Sequence, residues 1–171
     1  AHKRGNCHAY NAGWHMALET FAQCKAIAVI DDDELADPHW LHHLVETQKT
    51  TSAHFVGAPQ IPVFENPAMH DLATHPVFAP PYSETGPVPI LYSSGNVLIQ
   101  RTVLETMPEP FLDPAFHFIG GGDSDFYSRA RARGFTFAWC LQAPVFEDIP
   151  ERRTTSAWMV ARARREGAIS A

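Results

Sequence analysis

Long apolar runs are missing from this sequence: no stretch of 18 or more apolar residues occurs, so no segment is expected to span a bilayer. Cysteine is scarce. Cys7, Cys24 and Cys140 are odd in number and lack paired spacing, which fits neither a disulfide framework nor a zinc site and points to a reducing, cytoplasmic setting. Positive charge is in deficit, with a formal net charge of −6, which argues against a nucleic-acid binder working through bulk electrostatics. Neither an initiating methionine nor a signal peptide stands at Ala1, so the chain reads as a fragment. The basic residues that exist are unevenly placed. Beyond Asp148, Arg152, Arg153, Arg162, Arg164 and Arg165 outweigh Glu151 and Glu166, so a basic helix closes an acidic protein. Such a helix suits peripheral contact with an anionic membrane face, a subunit contact, or plain solvation.

A length of 171 residues with 45% hydrophobic composition suits one α/β core over residues 1–150, followed by the basic helix over 151–171. The apolar run Ala26, Ile27, Ala28, Val29, Ile30 lacks polar alternation and reads as a strand buried on both faces. Asp31, Asp32, Asp33 and Glu34 follow without a break. Like charges packed at a strand end need a partner, and a hard divalent cation shared with phosphate supplies one; an acidic loop facing water is the alternative. Ligands of open α/β sheets gather beyond the carboxyl ends of strands, where this cluster falls.

Around that strand the chain alternates helices and strands. A helix is expected from Asn11 as N-cap, with Trp14, Ala17, Leu18 and Phe21 on its apolar stripe. Asp37 and Pro38 open a second helix, with Leu41, Leu44 and Val45 inward and His39, His42 and His43 on its surface. Residues 59–89 contain eight prolines and no sustained periodicity, which reads as a lid, an acceptor-side loop or a disordered segment. After a strand beyond Ser93, Ser94, Gly95 and Asn96 comes the second loaded stretch, Phe118 to Phe126, with Gly120, Gly121 and Gly122 ahead of Asp123 and Asp125. Three glycines allow close backbone approach, and the acids open a helix that Gly134 stops; Asp123 or Ser124 as a mere N-cap is the simpler alternative.

In this order the motifs resemble the inverting family 2 glycosyltransferases. Tyr10-Asn11-Ala12-Gly13 is similar to the family's Ala-Arg-Asn entry to a helix, with tyrosine in place of arginine. Ile30 to Glu34 with Pro38, Trp40 and Leu41 resembles its DxD segment and the downstream P-x-W-L. Gly95-Asn96 resembles its glycine-asparagine, and Phe111-Leu112-Asp113-Pro114 its F-D-P turn. Gly121 to Phe126 with Arg129 and Gly134 resembles G-G-E-D-x-D-F…R…G, except that Gly122 stands where glutamate is usual. Val145 to Pro150 with Arg153 and Trp158 resembles V-x-E-x-V-P…R…W.

The resemblance implies a GT-A fold, a Rossmann-like sandwich with a mostly parallel mixed sheet, truncated ahead of Ala1 by the strands that hold the nucleotide base. Bare sheet edges there would favour a homodimer. It implies sugar transfer with inversion from a nucleotide-diphosphate donor to a saccharide or lipid-linked acceptor, in polysaccharide or glycoconjugate synthesis, at the cytoplasmic face of the membrane. Asp123 would be the catalytic base. Asp31, Asp32, Asn96 and Arg153 would bind the donor, Asp31 and Asp33 would hold Mn²⁺ or Mg²⁺, and Gly121, Gly122, Asp125 and Trp158 would line the acceptor side. Two rivals stand beside it: an inactive donor-binding or assembly module, favoured by Gly122, and a metal-dependent hydrolase using Asp31, Asp33, His117 and Asp123.

Overall fold

The computed structural model describes residues 4–117 and 119–169. Residues 1–3, Phe118 at the head of the glycine stretch, and the last two positions of the basic tail lie outside the described residues.

The chain runs α1 (Asn6–Thr20), β1 (Ala26–Ile30), β2 (Glu34–Ala36), α2 (Trp40–Thr51), β3 (Phe55–Gly57) and β4 (Gln60–Phe64). A 3₁₀ helix (Pro67–Thr74), β5 (Gly86–Val88), β6 (Asn96–Gln100) and α3 (Arg101–Thr106) follow, then α4 (Gly122–Ala132), β7 (Phe137–Trp139), β8 (Val145–Ile149) and α5 (Ser156–Ile169). Five strands form one sheet in the order β1-β6-β3-β7-β5, and three form a second in the order β2-β8-β4. This is a mixed α/β fold with two mixed sheets. The expected mostly parallel sheet is corrected: only β3–β7 and β4–β8 pair in parallel, while β1–β6, β3–β6, β5–β7 and β2–β8 are antiparallel. Apolar runs report burial and say nothing of strand direction, which depends on the connections.

Alternation of side chains builds two cores on the larger sheet. Phe55, Val97, Ile99, Phe137 and Trp139 face one way, against Cys7 and Trp14 of α1, Val103 and Leu104 of α3, and Phe126 and Tyr127 of α4. Val56, Leu98 and Ala138 face the other way, against Leu44 of α2. Strand β1 follows the same alternation, with Ile27 and Val29 on the first side and Ala26 and Ala28 on the second. It is an edge strand, however, half-buried along its length with Ile30 exposed, so the expectation of burial on both faces does not hold. In β2 Leu35 is likewise exposed.

Other boundaries shift for identifiable reasons. Helix α1 begins at Asn6 rather than Asn11, because Cys7 joins its apolar stripe and is fully buried with Trp14 two turns later. Asn11, inside the helix, instead clamps the turn at Leu112: its Oδ1 accepts the Leu112 N–H at 2.8 Å and its Nδ2 donates to the Leu112 carbonyl at 2.7 Å. Asp37 caps the turn ahead of α2, accepting the His39 N–H at 2.8 Å, but Leu41 is 51% exposed rather than inward. The proline-rich 59–89 segment is partly ordered by pairing, since β4 joins β8 and β5 joins β7.

The chain passes from the larger sheet to the smaller between β1 and β2, between β3 and β4, and between β7 and β8. All three crossings leave the larger sheet at the same end, and the acidic corner Asp31 to Asp33 is the first of them.

Candidate functional site

A cavity of about 1000 Å³ opens where the chain crosses between sheets. That volume is at the upper end for small-molecule sites. Its wall includes Asp31, Asp32 and Asp33 from the corner, Asp123 from the first turn of α4, Asn96 from the start of β6, Arg153, and Trp158, Arg162 and Arg165 from α5. The corner and the acid beyond the glycines, ninety-two positions apart in sequence, therefore face one space.

At the corner the acids divide into tied and open. Asp31 continues the side of β1 that faces α1, and its Oδ1 accepts a hydrogen bond from the Tyr10 hydroxyl. Tyr10 thus stands where the family resemblance expects arginine and supplies a neutral donor. The other oxygen of Asp31 lies over Gly95, where an added Cβ would come within 2.7 Å of it and of the Gln60 amide nitrogen, so a larger residue there would displace those side-chain ends. Burial raises the Asp31 pKa, with the Asp33 and Asp32 charges adding and the Tyr10 hydrogen bond opposing. Burial likewise raises Tyr10 far above the ordinary phenol range, helped by Asp31. Asp32 and Asp33 are exposed and accept no hydrogen bond within the described residues.

Glu34 supports the corner from below. Its Oε2 accepts the Asp31 N–H at 3.1 Å and its Oε1 accepts from the Gln60 amide. Burial pushes its pKa up to about 7; those two hydrogen bonds oppose the shift, while the Asp31 and Glu147 charges add to it. Glu147, its register partner on β8, takes up Arg153 through an ion pair of 2.6 Å, so the arginine reaches the cavity as one half of a pair.

Among the described residues no three His, Cys, Asp or Glu side chains converge to enclose a metal ion. A hard cation needs only one or two carboxylates when phosphate and water complete its shell, and the open carboxylates beside Asp31 are donors of that kind. The donor set therefore fits a cation shared with a phosphate ligand and does not fit a closed structural site. The surface histidines His39, His42 and His43 contact one another through edge-on rings.

Asn96 lines the cavity, with its side-chain amide given over to the fold. It is 2% exposed, and its amide is fully engaged: Nδ2 donates to Pro59 O at 2.9 Å and Ala143 O at 3.0 Å, and Oδ1 accepts the Trp40 indole N–H at 2.8 Å. Pro59 and Ala143 lie on two of the crossings, and Trp40 follows the third. Asn96 is a clasp that holds the floor of the cavity, which also explains why a tryptophan stands beyond the acidic corner.

In α4 the two acids again part. Gly121, at φ 91°, turns the chain into the helix and is its N-cap, so Asp123 is not the cap; its Oδ1 takes the Ser124 N–H at 2.9 Å. Asp123 faces the cavity, and burial raises its pKa, opposed by its backbone hydrogen bonds and by the charge of Arg162. Asp125 points elsewhere, paired to Arg129 at 2.8 Å, and Arg129 also donates to the Phe111 carbonyl. Neither Asp125, Gly121 nor Gly122 lines the cavity. Gly122 is buried against α1, where a Cβ would lie 3.1 Å from Cys7 Sγ. The close approach expected of this glycine is made to the neighbouring helix, not to a ligand.

Trp158 stacks on Phe78 of the proline-rich segment at 6.1 Å and 12°, which ties that segment to α5 over the cavity. Arg162 and Arg165 follow on the same face, at intervals of four and three residues. That spacing is the sequence signal that marks both arginines as cavity residues; the excess of basic residues alone points only to the helix. His117, by contrast, is absent from the wall: its Nε2 meets the Arg4 carbonyl and its ring lies edge-on to His8 at 5.0 Å. The hydrolase arrangement loses its histidine.

The chain is similar to the succinoglycan biosynthesis protein ExoM of Rhizobium meliloti (strain 1021), with 31% identity over 147 residues. The match covers 82% of this chain and 45% of that protein, so the chain spans less than half of its relative. In three dimensions it is similar to the crystal structure of A197 from STIV, with a TM-score of 0.62 and 15% identity, over 86% of this chain and 70% of that one. At that identity the likeness is one of fold. No family model matches the chain. No helix among the described residues is long and apolar enough to cross a membrane.

Proposed function

We propose that this chain carries the catalytic side of a family 2, GT-A type glycosyltransferase, moving a sugar from a nucleotide-diphosphate donor to an acceptor hydroxyl with inversion. The observation that carries the reading is the shared cavity: open carboxylates at the β1–β2 corner, a half-buried aspartate on α4 and the arginines of α5 line one space. The likeness to a succinoglycan biosynthesis protein supports polysaccharide synthesis as the setting.

Each group has a chemical task. The acceptor oxygen attacks the anomeric carbon as the bond from that carbon to the diphosphate oxygen breaks, and the hydroxyl proton passes to Asp123. Burial makes Asp123 a stronger base than an ordinary aspartate, while Arg162 favours its ionised form. Arg153 and Arg165 place positive charge beside the departing diphosphate. Asp31 and Asp33 are the residues that would hold Mg²⁺ or Mn²⁺, whose chemistry when bound is to neutralise diphosphate charge. Tyr10 fixes the orientation of Asp31.

The test is Asp123→Asn. Transfer from a labelled nucleotide sugar should fall about 10²–10⁴-fold, the usual weight of a general base, with nucleoside-diphosphate affinity unchanged. Transfer at the parental rate would contradict the assignment. The inactive-module reading loses its support at position 122, where the glycine packs on α1 outside the cavity, and predicts nucleotide binding by the parent chain without product.

A further inference from the structure

Part of the cavity wall carries no charged group: the contribution of Phe78, Pro80 and Pro81 and of the connection that leads into β6. Within it Tyr92 is 57% exposed, although its neighbour Leu91 is fully buried. A large ring left open on a concave surface is a feature of ligand sites more than of packing. The ring is backed by Tyr82 at 6.3 Å, which packs edge-on to Trp139 at 5.5 Å and donates its hydroxyl to the Ile90 carbonyl at 2.7 Å. Trp139, on the same wall, is 5% exposed, and its indole N–H has no hydrogen-bond partner within the described residues.

The connection is anchored beside both acidic groups. Tyr127 donates its hydroxyl to the Ser93 carbonyl at 3.0 Å and lies 3.2 Å from Ser94 Oγ. Tyr127 stands one helical turn after Asp123, on the same face of α4. At the other end Gly95 abuts Asp31. Three residues from Tyr92 to Gly95 reach at most about 11 Å, the scale of a short saccharide. A sugar ring presents an apolar C–H face and a rim of hydroxyls, and here an open aromatic ring shares the cavity wall with Ser93 and Gln60, whose hydroxyl and amide are hydrogen-bonded to each other at 2.7 Å. An anionic ligand would need cations on this stretch of wall, and a lipid chain would need an unbroken apolar groove.

Resting on the transferase reading, we infer that Tyr92 is the stacking platform for the acceptor, and that the acceptor end bound here is a neutral saccharide. Tyr92 and Asp123 line the same cavity, so a saccharide held on the ring shares that space with the acid.

The test uses the parent chain, Tyr92→Ala and Tyr92→Phe, titrated with cellotetraose and with maltotetraose by tryptophan fluorescence, and separately with UDP in Mn²⁺. Tyr92 is exposed, so both variants should fold, and thermal melts verify it. The parent and Tyr92→Phe should bind at least one saccharide alike, whereas Tyr92→Ala should bind about tenfold more weakly, as expected for loss of an aromatic contact. UDP affinity should be the same in all three. In transfer assays Tyr92→Ala should raise the acceptor KM and leave kcat near the parental value. Parental saccharide affinity in Tyr92→Ala, or no saccharide response from the parent, overturns the platform. Tyr92-dependent saccharide binding without UDP binding upholds the platform and overturns the transferase reading.

Discussion

The acidic corner between β1 and β2 and the acidic first turn of α4 face the same cavity, but they sort their carboxylates by different geometry. At the corner β1 ends at Ile30 and the chain turns through Asp32 and Asp33. Asp31 keeps the inward sense of Ile27 and Val29 and is tied to Tyr10, while Asp32 and Asp33 remain open. On α4, residues two apart are separated by about 200° around the axis. Asp123 therefore faces the cavity while Asp125 turns to Arg129. A run of acids marks a place; the backbone beneath it decides which member is free for chemistry.

The strongest way to break this contrast is to remove an open carboxylate. Asp33→Ala should lower UDP affinity in Mn²⁺ by about tenfold, roughly 1.4 kcal/mol, and abolish the Mn²⁺ dependence in calorimetry. Equal Mn²⁺-dependent affinity in the variant would place the cation elsewhere. A second test concerns the acid beneath the corner. The folded-state pKa of Glu34, about 7, lies above the ordinary glutamate value of 4.5, so its protonated form favours folding. The contribution is complete below pH 4.5 and is lost as pH rises through 7. Urea unfolding in EDTA should show the parent losing stability across that window and Glu34→Gln losing less; parallel curves would contradict the account. The smallest effect is expected at the tied acid. Asp125→Asn should cost about 0.3–0.5 kcal/mol of stability, as for an i,i+4 helix pair, and leave UDP binding unchanged. A loss of binding would make Asp125 a cavity residue after all.

Much of the plan was legible in the residues. The apolar run into four acids, the glycines ahead of α4 and the stop at Gly134 locate β1, the corner and the helix that carries Asp123. What pattern could not supply was direction and orientation. Antiparallel pairing follows from the connections, and the half-buried state of β1 from its place at the sheet edge. Strand β4 was hidden by Pro62, whose missing N–H is tolerated in this edge strand of the small sheet. The family resemblance implies a donor-binding Asn96, yet its amide is engaged by three groups that arrive from distant parts of the chain. The arginines of α5 read as a surface charge until their spacing from Trp158 is counted.

The central claim is that the β1–β2 corner and the first turn of α4 bound one ligand space. Paramagnetic broadening of the ¹⁵N-labelled chain by Mn²⁺ in the presence of UDP tests it most directly. The amide signals of Asp33 and of Ser124 should both broaden on Mn²⁺ addition and recover with EDTA. Broadening at Asp33 with Ser124 left sharp would put the two acidic groups in separate sites and contradict the account.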